Sequence, residues 1–105
     1  MTYIPSRAPL PAAGLRLLPW ETPDGKPCYL STDDAGGLMS RLADDVEAAQ
    51  LDSGVDVLLG ATTVLNDPKA GEHATRFALR RTTESLRDAL RIADSRGARL
   101  GGSAG

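Results

Sequence analysis

The chain has little of what disulfide-stabilised, metal-binding and membrane-spanning proteins require. Among its 105 residues are one cysteine, Cys28, and one histidine, His73. A single cysteine excludes an internal disulfide and agrees with a reducing compartment. A single histidine excludes a metal site or a catalytic relay built on a histidine pair. We therefore expect Cys28 to be a small buried hydrophobe and His73 to be a solvated residue in the first turn of a helix.

Long apolar runs and aromatic residues are scarce as well. No run approaches the ~18 apolar residues of a membrane-spanning helix, and the N-terminus lacks the basic start and apolar block of a signal peptide. We expect no membrane association and a cytoplasmic location. The aromatic residues are Tyr3, Trp20, Tyr29 and Phe77. A core made mostly of Leu, Val and Ala suits close helix packing better than a sheet sandwich, and the length suits one domain.

Charge is unevenly distributed along the chain. Up to Asp67 the sequence has 4 basic and 10 acidic residues, whereas from Pro68 onward it has 8 basic and 4 acidic residues. The two halves are thus of opposite net charge, although the whole chain carries only −2. We expect the acidic first half to pack beside the basic second half, within one chain or between two.

The basic residues are nearly all arginine, with lysine only at positions 26 and 69. This bias, with the segments Leu18-Pro19-Trp20 and Asp24-Gly25-Lys26-Pro27-Cys28-Tyr29, resembles short, uncharacterised helical proteins of streptomycete-type actinobacteria. The resemblance implies a class of organism and carries no function with it.

Turn residues predict a small β-hairpin near the N-terminus. Residues 1–14 are rich in proline and predict a flexible arm. Residues 15–33 then predict two short strands around Thr22-Pro23-Asp24-Gly25, where proline presets the second turn position and glycine can adopt the left-handed conformation. A two-stranded hairpin is marginally stable alone, so it must lie against helices.

A long helix is predicted over residues 35–66. At 100° per residue its first half is one-sided, along a line through Leu38 and Leu42, but a second apolar line appears in the second half. That second line consists of Leu51, Val55, Leu58, Thr62 and Leu65. The helix could be continuous, with the second face meeting another copy, or could break at Asp52-Ser53-Gly54. We favour continuity, because Gly54 costs only about 1 kcal/mol relative to alanine.

A second helix is predicted over residues 72–96, ended by Gly97 and followed by a flexible tail over 99–105. Its apolar arc comprises Leu79, Thr82, Leu86, Ala89, Leu90 and Ala93. The short connection makes the two helices antiparallel neighbours. Phe77 and Ile92 lie away from the arc, which suggests a second contact with the hairpin or with another subunit.

No residue pattern indicates a catalytic, cofactor or metal site. Asp33-Asp34 and Asp44-Asp45 lack the spacing of a calcium loop, and the glycine pairs lack the context of a phosphate-binding loop. An arginine stripe on the second helix could contact an anion or nucleic acid through Arg76, Arg80, Arg87 and Arg91. Acidic neighbours and a pI near 5.2 disfavour that use.

The sequence therefore predicts a mainly α protein: an antiparallel helical hairpin of two long helices with a small N-terminal β-hairpin, dimerising into a four-helix bundle. We expect one domain over residues 15–98, acting as a non-enzymatic interaction or regulatory protein that binds itself and a protein partner, without cofactors. The predicted interface comprises Leu51, Val55, Leu58, Thr62, Leu65, Phe77 and Ile92.

Overall fold

The structure, a computed structural model, describes residues 14–31 and 37–104, with side chains as far as Ala98. The elements are β1 (Leu15–Glu21), β2 (Pro27–Ser31), α1 (Leu38–Leu65) and α2 (Glu72–Ala104). The predicted mainly α fold, a helical hairpin with a small N-terminal β-hairpin, is confirmed. The predicted arm, except for Gly14, and the predicted helix start at Ala35 fall outside the described residues.

Strands β1 and β2 form the predicted antiparallel hairpin. The Gly25 amide donates to the Thr22 carbonyl at 2.9 Å, and Gly25 adopts a φ of 83°, a left-handed conformation that favours glycine. Pairing is regular at the open end and shifts between Leu17 and Glu21. Pro19 lies in this irregular stretch, as expected of a residue with no N–H to donate to a strand ladder.

Helix α1 is continuous through Asp52-Ser53-Gly54, so the alternative break does not occur. Its last residue is Leu65, and a turn follows in which the Ala70 amide donates to the Asp67 carbonyl at 3.0 Å. The predicted end before Pro68 is thus correct to within one residue. The helix is held together across Gly54 because the cost of one glycine is small beside a helix of 28 residues.

Helix α2 begins at Glu72 as predicted but runs to Ala104, so the prediction that Gly97 ends it is wrong. A glycine ends a helix where the chain turns left-handed at that residue. Among the described glycines, positive φ values occur at Gly14 and Gly25 and not at Gly97. Gly97 is therefore an ordinary, slightly unfavourable helix position.

The chain forms two compact units. The first comprises residues up to Glu47 together with those from Leu90 onward, and the second is Ala48–Ala89. In the first unit the buried apolar residues are Leu18, Ala43 and Ile92. Pro19 is buried as well, and the buried polar or charged residues are Arg16, Ser40, Glu47 and Ser95, so this core is small and partly ionic.

The charged part of this core is built around Arg16 of β1. Its guanidinium donates to the carbonyl and the hydroxyl of Ser40, both at 3.1 Å, and to Asp44 Oδ1 at 2.7 Å. Glu47 Oε2 lies 3.3 Å away, and Glu47 is 2 % exposed. The buried side of this part of α1 is thus Ser40, Ala43 and Glu47, whereas Leu38 and Leu42, on the predicted line, are exposed.

The C-terminal part of α2, from Leu90 onward, also belongs to the first unit and contacts the hairpin. The Ser95 hydroxyl donates to the Leu17 carbonyl at 2.8 Å, and Arg91 contacts both the Pro19 carbonyl and Glu21. Ile92, between these two residues of α2, is 3 % exposed. An apolar residue outside the predicted arc is therefore explained, because Ile92 lies where α2 contacts the hairpin.

Candidate interaction surface

The unit Ala48–Ala89 consists of the second part of α1, the turn and the first part of α2, and the structure describes all of its residues. None of these residues is buried. Its half-buried positions follow one line along each helix. On α1 they are Gln50, Gly54, Val57, Ala61 and Val64, and on α2 they are Ala78, Ser85, Asp88 and Ala89. These lines are the sides on which the helices face each other, since Val57, Ala61 and Ala78 line one common groove. The facing sides are small or polar apart from two valines.

The large aliphatic side chains of this part of α1 do not lie on the side that faces α2. Leu51, Val55, Leu58 and Leu65 are between 38 % and 84 % exposed, and Thr62 is exposed as well. They recur at alternating steps of four and three residues, the spacing of a coiled-coil seam. The structure brings together on one open side of α1 the five α1 residues that the sequence predicts as an interface.

Helix α2 adds Leu79, Thr83 and Leu86 to the same side. On each helix the exposed aliphatic line is rotated by roughly 110° about the helix axis from the half-buried line. The rotation has the same sense on both helices when each is followed from its N-terminus to its C-terminus. Seen from one end of the pair, one antiparallel helix turns clockwise and the other turns anticlockwise. Equal rotations away from the two facing lines therefore point to the same side of the helix pair. We call these eight residues the apolar face: Leu51, Val55, Leu58, Thr62, Leu65, Leu79, Thr83 and Leu86.

Leu79 and Leu86, which belong to the predicted apolar arc of α2, are 65 % and 57 % exposed. The signal that identifies the facing side is Ile92. Steps of seven residues back from Ile92 reach Ser85 and Ala78, both half-buried. Within Ala48–Ala89 the half-buried side of α2 therefore contains Ala78 and Ser85, and the leucine line falls outside it.

The polar groups of the apolar face are already satisfied. The Thr62 hydroxyl donates to the Leu58 carbonyl at 2.7 Å, and the Thr83 hydroxyl donates to the Leu79 carbonyl at 2.8 Å. Each threonine thus uses its donor within its own helix and leaves a methyl group for contact. The face carries no charge and could be covered without stranding a hydroxyl donor.

Phe77 belongs to the opposite side of the helix pair. It is 57 % exposed and lines a groove of about 290 Å³ with Asp56, Gly60 and Arg81, in addition to residues of the facing lines. The groove residues outside the facing lines are rotated about the helix axes in the opposite direction from the residues of the apolar face. The groove therefore lies on the other side of the helix pair. Phe77 therefore does not join the other predicted interface residues, and buried Ile92 belongs to no exposed surface.

The predicted arginine stripe is partly retained. Arg76, Arg80 and Arg87 are exposed and lie within an arc of about 40° on α2. Arg76 pairs with Glu72 at 3.4 Å. Arg91 does not belong to the stripe, because its side chain is 11 % exposed and turned toward Glu21 at 3.5 Å.

Reactive groups do not converge in the described part of the chain. His73 is exposed and Cys28 is half-buried, and no three His, Cys, Asp or Glu residues between positions 14 and 98 with described side chains form a metal-binding group. At the hairpin turn the Thr22 hydroxyl donates to the Asp24 carboxylate and lowers the pKa of Asp24 below its ordinary value. Neither α1 nor the described part of α2 has the length and hydropathy needed to cross a membrane.

Comparisons with known proteins add no relative: no protein-family model matches the chain, and neither a curated protein nor a solved structure resembles it significantly. The apolar face is therefore the feature from which a function can be argued.

Proposed function

We propose that this protein is a small, non-enzymatic interaction module of regulatory type, which associates with itself and with a protein partner through the apolar face. One observation carries the proposal: the unit Ala48–Ala89 turns its small and polar residues inward and its leucines outward. Burial of apolar side chains drives both folding and association. A helix pair that leaves this area open gains most by covering it with another protein surface.

The size of the face agrees with a protein–protein contact. From Leu51 to Leu65 it is about 21 Å long, and two helices are roughly 20 Å wide, so its projection is on the order of 400 Å². The accessible area is larger because the side chains protrude. An interface of standard size takes about 800 Å² from each partner. The spacing of the leucines also provides the knobs that pack between the residues of a facing helix.

The test is the solution mass of the protein, measured by light scattering on a sizing column over a range of concentrations. We expect a dimer for the native chain and a monomer for Leu58→Glu, because a carboxylate in the centre of the covered face would lose its hydration. Leu42→Glu is the matched control, since Leu42 is an exposed leucine of the same helix outside the face. A native chain that is monomeric at all concentrations, or a Leu58→Glu variant that remains dimeric, would contradict self-association through this face.

Nucleic-acid binding is the second candidate, supported by the exposed arc of Arg76, Arg80 and Arg87. Phosphate contacts by arginine release counterions, so such binding would weaken steeply with salt. Salt-dependent binding of DNA or RNA that is lost in Arg80→Ala plus Arg87→Ala would support it. Glu72, Glu84 and Asp88 on the same helix reduce the positive charge available to it.

A further inference from the structure

We propose that the apolar face is covered by the same face of a second copy, arranged so that α1 of each chain lies on α2 of the other, with Asp52 beside the partner's Arg87. This arrangement rests on the proposed function, because it specifies how self-association occurs. It is a closed two-fold dimer of four helices, in which each chain offers the same surface.

Two identical helix pairs can stack face to face about a two-fold axis in only two simple ways. An axis parallel to the helices places each α1 on the partner's α2 and keeps every residue at its height along the bundle. An axis perpendicular to the helices, within the plane of contact, places each α1 on the partner's α1, running in the opposite direction. The charges at the edges of the face distinguish the two arrangements.

The outer edges of the two helices have opposite charge. Within Ala48–Ala89, the outer side of α1 exposes Asp52, whereas the outer side of α2 exposes Arg80 and Arg87. Asp56, the other charged residue of α1 in this unit, lines the groove on the opposite side. Asp52 and Arg87 lie at matching angles, each almost directly away from the line on which the helices face each other. Placing α1 on the partner's α2 brings an acidic edge to a basic edge. Placing α1 on α1 also places α2 on α2, which brings the two basic edges together with Arg80 near their midpoint.

The two residues also share a height along the bundle. The groove is lined by positions 56 to 64 of α1 and 77 to 81 of α2, which places Ala61 and Ala78, both of which line it, at about the same height. Nine residues back along α1 is Asp52, and nine residues forward along α2 is Arg87. Because the helices are antiparallel, these equal steps end at the same height. An axis parallel to the helices therefore sets Asp52 level with the partner's Arg87.

Aliphatic contact supplies the affinity of this dimer, and the charges select the arrangement. An ion pair at an exposed edge adds little to binding, but like charges in the competing arrangement disfavour it. The threonines of the face are compatible with either arrangement, because their hydroxyl groups are satisfied within each helix. The edge charges are thus the feature that makes one dimer preferred.

Cross-linking of single-cysteine chains tests the arrangement. In a Cys28→Ser background, a chain with Asp52→Cys is mixed with a mass-tagged chain with Arg87→Cys and treated with a flexible bis-maleimide. We expect cross-links between the two different chains in preference to cross-links between identical ones. A third chain, Leu59→Cys, places its thiol on the outer edge near the midpoint of the face, where only stacking of α1 on α1 would join two copies.

The outcomes separate the arrangement from the proposed function. A dimer by light scattering that yields Leu59→Cys cross-links, or no Asp52→Cys to Arg87→Cys product, overturns the arrangement and leaves self-association intact. A monomeric native chain overturns both. As a second measurement, Asp52→Arg and Arg87→Asp should each raise the dimer Kd several-fold, and the double variant should return it toward the native value. A double variant weaker than both single variants would contradict the pairing.

Discussion

Arg16 is a buried charge whose partners come from helix α1. It is 5 % exposed and is held by Ser40, Asp44 and Glu47. Glu47 is also approached by Arg96 Nη2 at 3.9 Å, so this carboxylate lies between two guanidinium groups. A buried ion pair adds little net stability over an apolar contact, but it is costly to break because one charge is left without compensation. The group therefore fixes the position of β1 on α1.

We expect Arg16→Met to lower the free energy of unfolding by about 3–5 kcal/mol, because Glu47 would stay buried without its main cationic partner. Urea unfolding at a fixed protein concentration measures the change. Arg16→Met plus Glu47→Leu should recover much of the loss, since no buried charge is then left. A single variant within about 1 kcal/mol of the native chain would mean that water reaches Glu47 and replaces the arginine.

The hairpin turn contains the residue whose titration is most clearly altered. The Thr22 hydroxyl is the main cause of the lowered pKa of Asp24, because it donates to the ionised carboxylate. We expect the pKa of Asp24 in Thr22→Val to rise toward 3.8, its ordinary value. NMR titration of the carboxyl carbon measures it, with Thr63→Val as a control whose hydroxyl donates only to the Leu59 carbonyl.

The sign of the accompanying stability effect follows from the direction of the shift. A pKa lowered by folding gives stability that is present above the ordinary pKa and is lost as pH falls through the lowered value. The difference in stability between the native chain and Thr22→Val should therefore be largest near neutral pH and decrease in acid. The part that remains in acid reflects the Lys26 amide, which also donates to the Thr22 hydroxyl. A difference that grows toward acid pH would contradict this assignment.

Glycine is slightly unfavourable in helix α1, whereas the hairpin turn requires it. A Cβ added at Gly54 would have no neighbour within 4 Å and would sit in ordinary helix, whereas Gly25 has a φ of +83°. We expect Gly54→Ala to raise the free energy of unfolding by up to about 1 kcal/mol. Gly25→Ala should lower it by about 1–2 kcal/mol, the cost of a left-handed conformation. Thermal unfolding followed by circular dichroism compares them, and equal effects of the same sign would contradict this difference.

The elements were predictable from local signals, and the inward side of the helices was not. Turn residues located the hairpin, Pro68 located the end of α1, and the spacing of Leu51 to Leu65 located its second apolar line. The rotation of each helix depends on distant contacts instead. Arg16 holds Ser40 and Glu47 on the buried side of α1, so Leu38 and Leu42 are left exposed. Hydrophobicity alone favours those leucines as the buried side, because a buried ion pair with a strand residue leaves no local signal in the sequence.

In the whole molecule, folding and association should be thermodynamically linked. The unit Ala48–Ala89, described in full, contains no buried residue, so the second chain of the proposed dimer would add burial that the unit lacks on its own. Anything that binds only the folded state raises its apparent stability by mass action. We expect the Tm to rise with protein concentration for the native chain and to be independent of concentration for Leu58→Glu. A native Tm that does not change over a hundred-fold range of concentration would contradict the linkage.

The hydrogen bond from Ser95 to Leu17 has a consequence for the order of folding. It joins residues 78 positions apart, and the contact of Arg91 with Pro19 joins residues 72 apart. During synthesis β1 leaves the ribosome long before these partners in α2 exist, so the first unit can be completed only after translation has passed Ser95. The helical hairpin Ala48–Ala89 depends on nearer contacts and can form earlier. Nascent chains can thus expose the apolar face before the N-terminal hairpin has its full set of contacts.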